Sequence, residues 1–238
     1  MNKLSVIIPF YNENIEVEST LKSIQNTADE PVDIVMVNDG SDDVCDYEKI
    51  AYRYSAIYIE HAQRLGSGIA KQIGIDACQT PYFLVIDAHM RFYQNDWCKN
   101  IIRAIEKDKR AIYCCCCKVW DYETKQEVPL KNIRYGASLQ FFQIEKRNIL
   151  EPVWIKENVW GEDLVVDVPC LLGACYAATK EYWNYLKGYK GLRLYGCEEF
   201  YISLKTWMEG GHCRLIKNIE IGHLFKKDSF FTMEINEL

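Results

Sequence analysis

Short apolar runs alternate with amphipathic segments along the first half of the chain. Four of these runs are rich in β-branched or aromatic residues and predict strands: Leu4–Phe10, Asp33–Asn38, Ala56–Ile59 and Tyr82–Ile86. Because they are apolar almost throughout, we expect both faces of each strand to be buried, as in a parallel sheet.

The segments between these strands carry helical patterns. Glu16–Thr27 has apolar residues at positions i, i+4 and i+7 and follows Asn14, a candidate N-cap. Helical spacing also occurs in Ser67–Cys78 and Trp97–Lys107. Alternation of strands and helices predicts an open α/β sheet with right-handed crossovers.

The second half of the chain has a less regular pattern. Its predicted strands are Ala111–Trp120, Tyr135–Phe142, Pro169–Ala178 and Arg214–Ile221, and its predicted helices are Glu181–Leu186 and Glu198–Glu209. No repeat, linker or low-complexity segment separates the halves. We therefore expect a single domain, in which residues 1–110 form a nucleotide-binding type of α/β unit and residues 111–238 add strands around the site.

Composition and charge exclude several classes of protein. Of the 238 residues, 49% are hydrophobic and 26% are charged, which is typical of a folded domain. The formal net charge of −6 and the lack of a basic block argue against nucleic-acid binding. No run approaches the roughly 20 apolar residues of a membrane span, so we expect peripheral contact with a membrane at most.

Cysteine usage favours a reducing compartment. The chain has 11 cysteines, an odd number, in a sequence that is not short and shows no secretory signal. Reduced thiols in a cytoplasmic protein are therefore expected. Cys114 and Cys117 form one C-x-x-C pair, but a structural zinc site would need a second pair, which the sequence lacks.

Polar residues follow the predicted strands at the edge where ligands of open α/β sheets bind. Asp87 and His89 follow one strand and can converge on a metal ion, although Asp87 can equally cap backbone amides of a turn. His223 ends another strand, where a lone histidine is more often structural. Arg64 begins a glycine turn that opens a helix and can face an anion. The phosphate-binding patterns G-x-G-x-x-G after the first strand and G-x-x-x-x-G-K-[ST] are both missing.

Taken together, these motifs resemble known glycosyltransferases. The segments 5–13 and 37–43 resemble the opening of family-2 glycosyltransferases of the GT-A fold. Later motifs are similar to those of the polypeptide N-acetylgalactosaminyltransferases: Arg64-Leu65-Gly66 with Ala70-Lys71, the D-x-H motif of 83–89, the glycine-rich 172–177 before Tyr182-Trp183, Tyr195-Gly196-Cys197-Glu198-Glu199, and Gly222-His223-Leu224-Phe225. The order of these motifs runs from about residue 4 to 226.

The resemblance implies a single GT-A domain with a mostly parallel, Rossmann-like sheet, flanked by helices and extended by acceptor-side strands. It implies a metal-dependent enzyme that moves a sugar from a UDP-sugar to a hydroxyl group of a glycan or another acceptor. Asp87, His89 and His223 would bind a divalent cation. Mixed oxygen and nitrogen ligands suit Mn²⁺ better than Mg²⁺.

The resemblance also implies the residues that hold the donor. The expected nucleotide-sugar-binding residues are Pro9, Tyr11, Glu13, Asp39, Arg64, Asp87, Ala88 and Tyr195. Asp39 is placed to accept a hydrogen bond from uracil N3–H, and Tyr11 to stack on the base. Arg64 is placed to pair with phosphate.

Glu198 and Glu199 are the expected catalytic residues. Glu198 aligns with the glutamate of the family's W-G-G-E-N motif, and one of the two can instead be a carboxylate that favours a helix N-terminus. An inverting enzyme needs a base beside the acceptor hydroxyl, whereas in a retaining enzyme the leaving phosphate can take the proton. The carboxyl-half motifs resemble those of retaining enzymes, and retention is the course expected.

Departures from the family pattern limit what carries over. Tyr195 replaces Trp, Cys197 replaces Gly and Glu199 replaces Asn, and the membrane anchor and lectin domain of the animal enzymes are missing from this sequence. Neither a polypeptide acceptor nor an N-acetylgalactosamine donor is therefore implied, and the oligomeric state stays open. The main alternative is a non-catalytic GT-A-like module that binds a nucleotide sugar or a partner protein. A dinucleotide oxidoreductase and a nucleotidyltransferase are disfavoured by their missing glycine-rich motifs.

Overall fold

A computed structural model describes residues 2–121, 123–128, 133–144, 147–192 and 196–225. Strands β1 to β12 are Leu4–Phe10, Asp33–Asn38, Ile57–Glu60, Tyr82–Ile86, Met90–Phe92, Ala111–Asp121, Ile133–Arg134, Ala137–Ile144, Arg147–Trp154, Val165–Asp167, Cys175–Thr179 and His212–Phe225. Helices α1 to α6 are Glu16–Thr27, Tyr47–Arg53, Ser67–Ala77, Trp97–Lys107, Lys180–Tyr185 and Glu198–Met208.

A mixed β-sheet forms the centre of the molecule. Its strand order in the described part of the chain is β10-β12-β6-β11-β4-β1-β2-β3, with β5 paired to β12 and β7 paired to β6. β1 pairs in parallel with β2 and β4, and β2 pairs in parallel with β3, as the apolar runs predict. β11 then enters antiparallel between β4 and β6, so the carboxyl half of the sheet mixes both directions. β8 and β9 form a separate hairpin.

Helices pack on both faces of this sheet and bury two apolar clusters. One cluster joins the sheet to α1, α2 and α4, and the other joins it to α3, α5 and α6. The α/β class of fold is thus confirmed, because strands that are apolar throughout can be covered on both faces only by helices. All eleven cysteines are free in the structure. Among the described residues, no helix is long and apolar enough to cross a bilayer.

Several local predictions differ from the structure. Asn14 is not an N-cap: the position before α1 is Ile15, without a side-chain cap, and Asn14 has a positive φ of 53°. The backbone N–H of Asn14 instead donates to Tyr47 Oη at 2.7 Å. Of the predicted strand Pro169–Ala178, only Cys175–Ala178 lies in a strand, which continues to Thr179, and β12 runs beyond Ile221 to Phe225. Because neighbouring strands determine these limits, sequence pattern alone misplaces them.

The unpredicted elements are short or lie in the carboxyl half. They are α2, β5, β7, β9 and β10. Strands of two or three residues such as β5, β7 and β10 are too short to show an alternating pattern. These three short strands form by pairing with longer ones: β5 and β10 pair with β12, and β7 pairs with β6.

Close packing of α3 on the sheet depends on Gly74. A Cβ atom at this position would overlap Ile7 Cγ2 and would lie 3.1 Å from Val37 Cγ2. Both contacts come from buried strands that cannot retreat without disturbing their neighbours. At Gly68 in the same helix, the nearest atom would be Glu198 Cγ at 3.4 Å, which is an ordinary contact.

We expect Gly74→Ala to lower the free energy of unfolding by about 1–3 kcal/mol, because the added methyl group overpacks the β1–α3 contact. Gly68→Ala is the matched control and should cause no loss, since alanine is the better helix former by about 1 kcal/mol. Urea unfolding of both variants measures the difference. Equal stability of the two variants would show that the α3–sheet contact is looser than described.

Candidate functional site

One cavity of about 400 Å³ opens beyond the carboxyl ends of β1, β2 and β4. It collects every predicted site residue that the structure describes: Pro9, Tyr11, Glu13, Asp39, Arg64, Asp87, Ala88, His89, Glu198, Glu199 and His223. Tyr195 lies outside the described residues. Lys71, Gly173, Trp154 and Phe225 also line the cavity and had no predicted site role. The residues predicted from the sequence therefore share one cavity, but they do not make up its complete wall.

Asp87, His89 and His223 converge as predicted, although His223 lies far along the chain. Their candidate ligand atoms are all within 4.8 Å of one another. His223 Nε2 lies 3.1 Å from Asp87 Oδ2 and 3.1 Å from His89 Nε2. One carboxylate oxygen and two imidazole nitrogens form a donor set that fits a divalent first-row metal.

Strand pairing brings the three groups together. β4 ends immediately before Asp87, and a tight turn then carries His89 into β5. β5 pairs antiparallel with β12 so that Met90 faces His223, and Leu224 N–H donates to the His89 carbonyl at 3.1 Å. The cluster is thus built on backbone hydrogen bonds rather than on a flexible loop.

Glu13 lies behind His89. Glu13 Oε2 is 3.1 Å from His89 Nδ1, and the Glu13 side chain is only 8% exposed. A carboxylate at Nδ1 holds the proton on that nitrogen and leaves the Nε2 lone pair facing Asp87 and His223. Glu13 lines the cavity, but this contact gives it an orienting role that the sequence did not predict.

Opposing charges set the ionisation of the cluster. Burial acts to raise the pKa of Asp87, but the hydrogen bond with His223 and the charge of Lys71 outweigh it and hold the pKa well below its usual range. Burial lowers the pKa of His223 despite the neighbouring Asp87 carboxylate. An ionised Asp87 carboxylate beside a neutral His223 imidazole is the form of this pair that binds metal ions.

Asp39 fixes the glycine turn at the start of α3. Its two carboxylate oxygens accept hydrogen bonds from Leu65 N–H at 2.8 Å and Gly66 N–H at 2.9 Å. Each oxygen keeps a second lone pair that can accept another hydrogen bond. The contact of Asp39 with uracil N3–H stays a prediction. Arg64, from the same turn, places its guanidinium carbon 4.6 Å from the centre of the Tyr11 ring. This cation–π contact holds a positive charge and an aromatic ring at the cavity mouth.

Lys71 is a buried cation in the cavity wall that sequence reasoning left without a role. It is 5% exposed and lies on α3, one turn after the glycine turn. Burial acts to lower its pKa, but Glu198, Tyr176, Asp87 and Glu199 together raise it above the usual value. The signal in the sequence is a lysine in the otherwise small or apolar run that follows Gly66.

Glu198 and Glu199 open α6 from the opposite wall. Glu198 is 4% exposed, and its Oε1 is buried without a hydrogen-bond partner among the described residues. Glu199 lies over Gly173, where a Cβ atom would overlap its carboxylate. Burial and the charge of Glu198 raise the pKa of Glu199. The site therefore holds two neighbouring glutamate side chains, of which Glu199 resists ionisation, beside a buried ammonium.

Cys213 and His212, adjacent in the sequence, do not form a nucleophile–base couple. His212 Nδ1 lies 3.1 Å from Asp167 Oδ2, whereas the buried Cys213 thiol faces the Ser203 carbonyl. Burial raises the pKa of the Cys213 thiol to about 12, so it is not a ready nucleophile.

Comparison with known proteins defines the class. The family model described as glycosyl transferase family 2 matches residues 5–160, and the chain belongs to this family. It is 26% identical over 240 residues to polypeptide N-acetylgalactosaminyltransferase 8 of Drosophila melanogaster, covering 95% of this chain and 39% of that protein. It is also 26% identical to the inactive polypeptide N-acetylgalactosaminyltransferase-like protein 5 of Macaca fascicularis, covering 97% of this chain and 53% of that protein. The chain thus spans about half the length, or less, of these relatives.

Solved structures show the same fold. The crystal structure of GalNAc-T7 with UDP, GalNAc and Mn²⁺ superimposes with a TM-score of 0.77 at 21% identity, covering 95% of this chain and 44% of that chain. A mannosyltransferase of Pyrobaculum calidifontis in complex with GDP-Man and Mn²⁺ gives a TM-score of 0.63 at 15% identity, covering 96% of this chain and 59% of that chain. The domain is therefore a GT-A glycosyltransferase fold.

We expect Glu199→Gln to stabilise the protein at neutral and alkaline pH. A carboxyl group with a raised pKa in the folded state destabilises that state once the pH passes its unfolded pKa, and an amide does not. The gain should vanish in acid, where Glu199 is protonated in both states. Urea unfolding across the pH range measures it, with Glu157→Gln at an exposed position as the control. A gain that persists unchanged in acid would contradict this origin.

Proposed function

We propose that this chain transfers a sugar from a UDP-sugar to a hydroxyl group of a glycan or another acceptor. The observation that carries the proposal is the convergence of Asp87, His89 and His223 in a cavity that also holds Lys71 and Glu198. The comparisons support it, because two similar structures were solved with a nucleotide or nucleotide sugar and Mn²⁺. They leave the base open, since one carries UDP and the other GDP-Man.

The carboxylate of Asp87 and the imidazoles of His89 and His223 fit Mn²⁺ or a related cation. When bound, such an ion neutralises the charge that develops on the leaving diphosphate. The orientation of His89 by Glu13 and the strand-fixed position of His223 make this set rigid before a ligand arrives. Rigidity limits the reorganisation needed when the donor binds.

The chain's own cations complement the diphosphate. Arg64 at the cavity mouth and Lys71 in its wall supply positive charge at two positions along the expected donor. We assign the nucleoside to the β1–β2 side, where Tyr11 can stack on the base and Asp39 can accept from N3–H of uracil. UDP is therefore the proposed nucleotide.

Glu198 is the proposed catalytic carboxylate. Its buried and unpartnered Oε1 needs a hydrogen-bond donor, which a sugar or acceptor hydroxyl can provide. In a retaining enzyme Glu198 would position the donor sugar, and in an inverting enzyme it would take the proton of the attacking hydroxyl. The resemblance to retaining enzymes in the carboxyl half favours retention. Glu199, with its raised pKa, is the weaker candidate for a base.

A second candidate function is binding of a nucleotide sugar without turnover. One observation favours it: a relative at 26% identity is described as inactive. The two functions differ in whether the donor is consumed.

Incubation with UDP- and GDP-sugars, with and without Mn²⁺, tests the proposal. We expect UDP-sugar to be consumed only with the metal, by transfer or slow hydrolysis. Glu198→Gln should lower kcat by about 10²-fold or more, while Glu181→Gln at an exposed helix position should not. Mass spectrometry follows consumption, and NMR of the product anomer gives the stereochemical course. Tight UDP-sugar binding without consumption would support the binding module instead.

We expect Glu13→Ala to weaken Mn²⁺ binding by about 10–100-fold, because His89 loses the carboxylate that orients it. Calorimetry or electron paramagnetic resonance on the protein without donor measures this affinity directly. Asp42→Asn, at an exposed carboxylate that accepts a hydrogen bond from Asn12 Nδ2, is the matched control and should bind Mn²⁺ as the unmodified protein does. Unchanged affinity in Glu13→Ala would leave Glu13 without its orienting role.

A further inference from the structure

The β8–β9 hairpin carries one wholly apolar face. Residues paired directly across an antiparallel hairpin share a face, and side chains alternate between faces along each strand. The register places six apolar residues together, in the pairs Ala137 with Trp154, Leu139 with Pro152, and Phe141 with Leu150. We call this set the hairpin face. The opposite face of the hairpin is mixed and carries Ser138, Gln140, Phe142, Glu151 and Val153.

The outer part of the hairpin face is open to solvent. Phe141 is 75% exposed, and Leu139, Leu150 and Pro152 are each partly exposed. Leu139, Phe141 and Leu150 belong to neither of the two apolar clusters of the described core, whereas Trp154 packs against one of them. Contiguous exposed apolar surface of this kind is typical of a binding surface.

The inner end of the hairpin face lies in the cavity of the candidate site. Trp154 lines that cavity together with Phe225 and His223. The Trp154 and Phe225 ring centres are 5.1 Å apart, and those of Phe225 and His223 are 4.2 Å apart. At the rise of a β-strand, the face extends roughly 13 Å from Trp154 to Leu150. One apolar surface therefore leads from beside the metal ligands to the outside of the molecule.

The hairpin face begins on the side of the cavity that the donor leaves free. Asp39 follows β2, whereas β12, which carries His223 and Phe225, lies on the other side of β4 in the sheet. A donor with its base near Asp39 and its diphosphate at Asp87 leaves the side of Trp154 to the acceptor.

We propose that the hairpin face binds the aglycone of the acceptor, and that this acceptor is a saccharide linked to an aliphatic chain. The proposal rests on the proposed function and names the class of its acceptor. The saccharide lies in the cavity, and the aliphatic chain follows the face from Trp154 toward Phe141. Continuity with the cavity indicates this occupant, because a narrow chain can begin inside a space of about 400 Å³ that a second folded copy cannot enter. Burial of the chain on the face supplies the binding free energy.

Matched glycosides test the hairpin face without turnover. Calorimetry on the protein saturated with UDP and Mn²⁺ compares methyl and octyl glycosides of common hexoses and N-acetylhexosamines, each below its micellar concentration. We expect the octyl glycoside of the preferred sugar to bind about 10-fold or more tightly than the methyl glycoside. Burial of roughly two methylene groups is enough for this factor.

Two phenylalanines of the hairpin provide matched substitutions. Phe141→Ser should reduce the preference for octyl glycosides to about three-fold or less, because it removes the most exposed side chain of the hairpin face. Phe142→Ser is the control, since Phe142 is 39% exposed on the opposite face, and it should leave the preference unchanged. The Kd of UDP with Mn²⁺ should be the same in all three proteins. Circular dichroism confirms folding, and the comparison on the unmodified protein stands without the variants.

Four outcomes would overturn the proposal. One is the absence of any difference between octyl and methyl glycosides, and another is an octyl preference that survives Phe141→Ser. The third is self-association in sedimentation that Phe141→Ser abolishes, which would assign the hairpin face to a second copy of this chain. The fourth is Phe141-dependent binding to phosphatidylcholine vesicles that hold no glycoside, which would assign the face to a membrane surface.

Failure of the proposed function gives a different result. If octyl glycosides bind through Phe141 but no UDP-sugar is consumed, the proposed function fails and the aglycone subsite remains. If sugar is transferred to methyl and octyl glycosides that bind equally well, the proposed function stands and the subsite fails.

Discussion

The pairing of β5 with β12 is the constraint on which the site depends. This short antiparallel pairing places His223 opposite Met90 and ties Leu224 to the His89 carbonyl. Without it, Asp87 and His89 would be two polar residues in a strand-end turn. With it, a residue more than one hundred positions away completes a donor set suited to a divalent cation. Backbone hydrogen bonds, rather than side-chain attraction, hold the ligands in place.

A balance of buried charges surrounds this donor set. Lys71 from the amino half lies among Glu198, Glu199 and Asp87. Their charges raise the pKa of Lys71, and the charge of Lys71 helps to lower the pKa of Asp87. Burial alone would favour the neutral forms of Lys71 and Asp87. The attraction of Lys71 to the carboxylates around it, and of Asp87 to Lys71, keeps both groups ionised. In the part of the chain that the structure describes, Glu198 Oε1 remains buried without a hydrogen-bond partner. Local energetic conflict of this kind is typical of functional sites, where a ligand provides the missing partner.

Much of the amino half could be predicted from the sequence. β1, β2, β4, α1 and α4 have their predicted limits, because apolar runs and helical spacing over five or more residues are strong local signals. The motifs placed the described site residues in one cavity, because the ends of neighbouring parallel strands meet at one edge of a sheet. The carboxyl half was predicted less well. Its short strands and the hairpin strand β9 depend on partners that come from distant parts of the chain.

The sequence by itself determined the class of fold, the edge of the sheet that carries the site, and the residue types suited to a cation and a nucleotide. Only the tertiary structure decided how these residues act on one another. It turned Glu13 toward His89, placed Lys71 among carboxylates and, among the described residues, left Glu198 Oε1 without a hydrogen-bond partner. Periodicity reports which face of an element is buried, whereas these contacts join elements far apart in the chain. Such contacts and buried groups without partners form only when the chain has folded and brought these elements together.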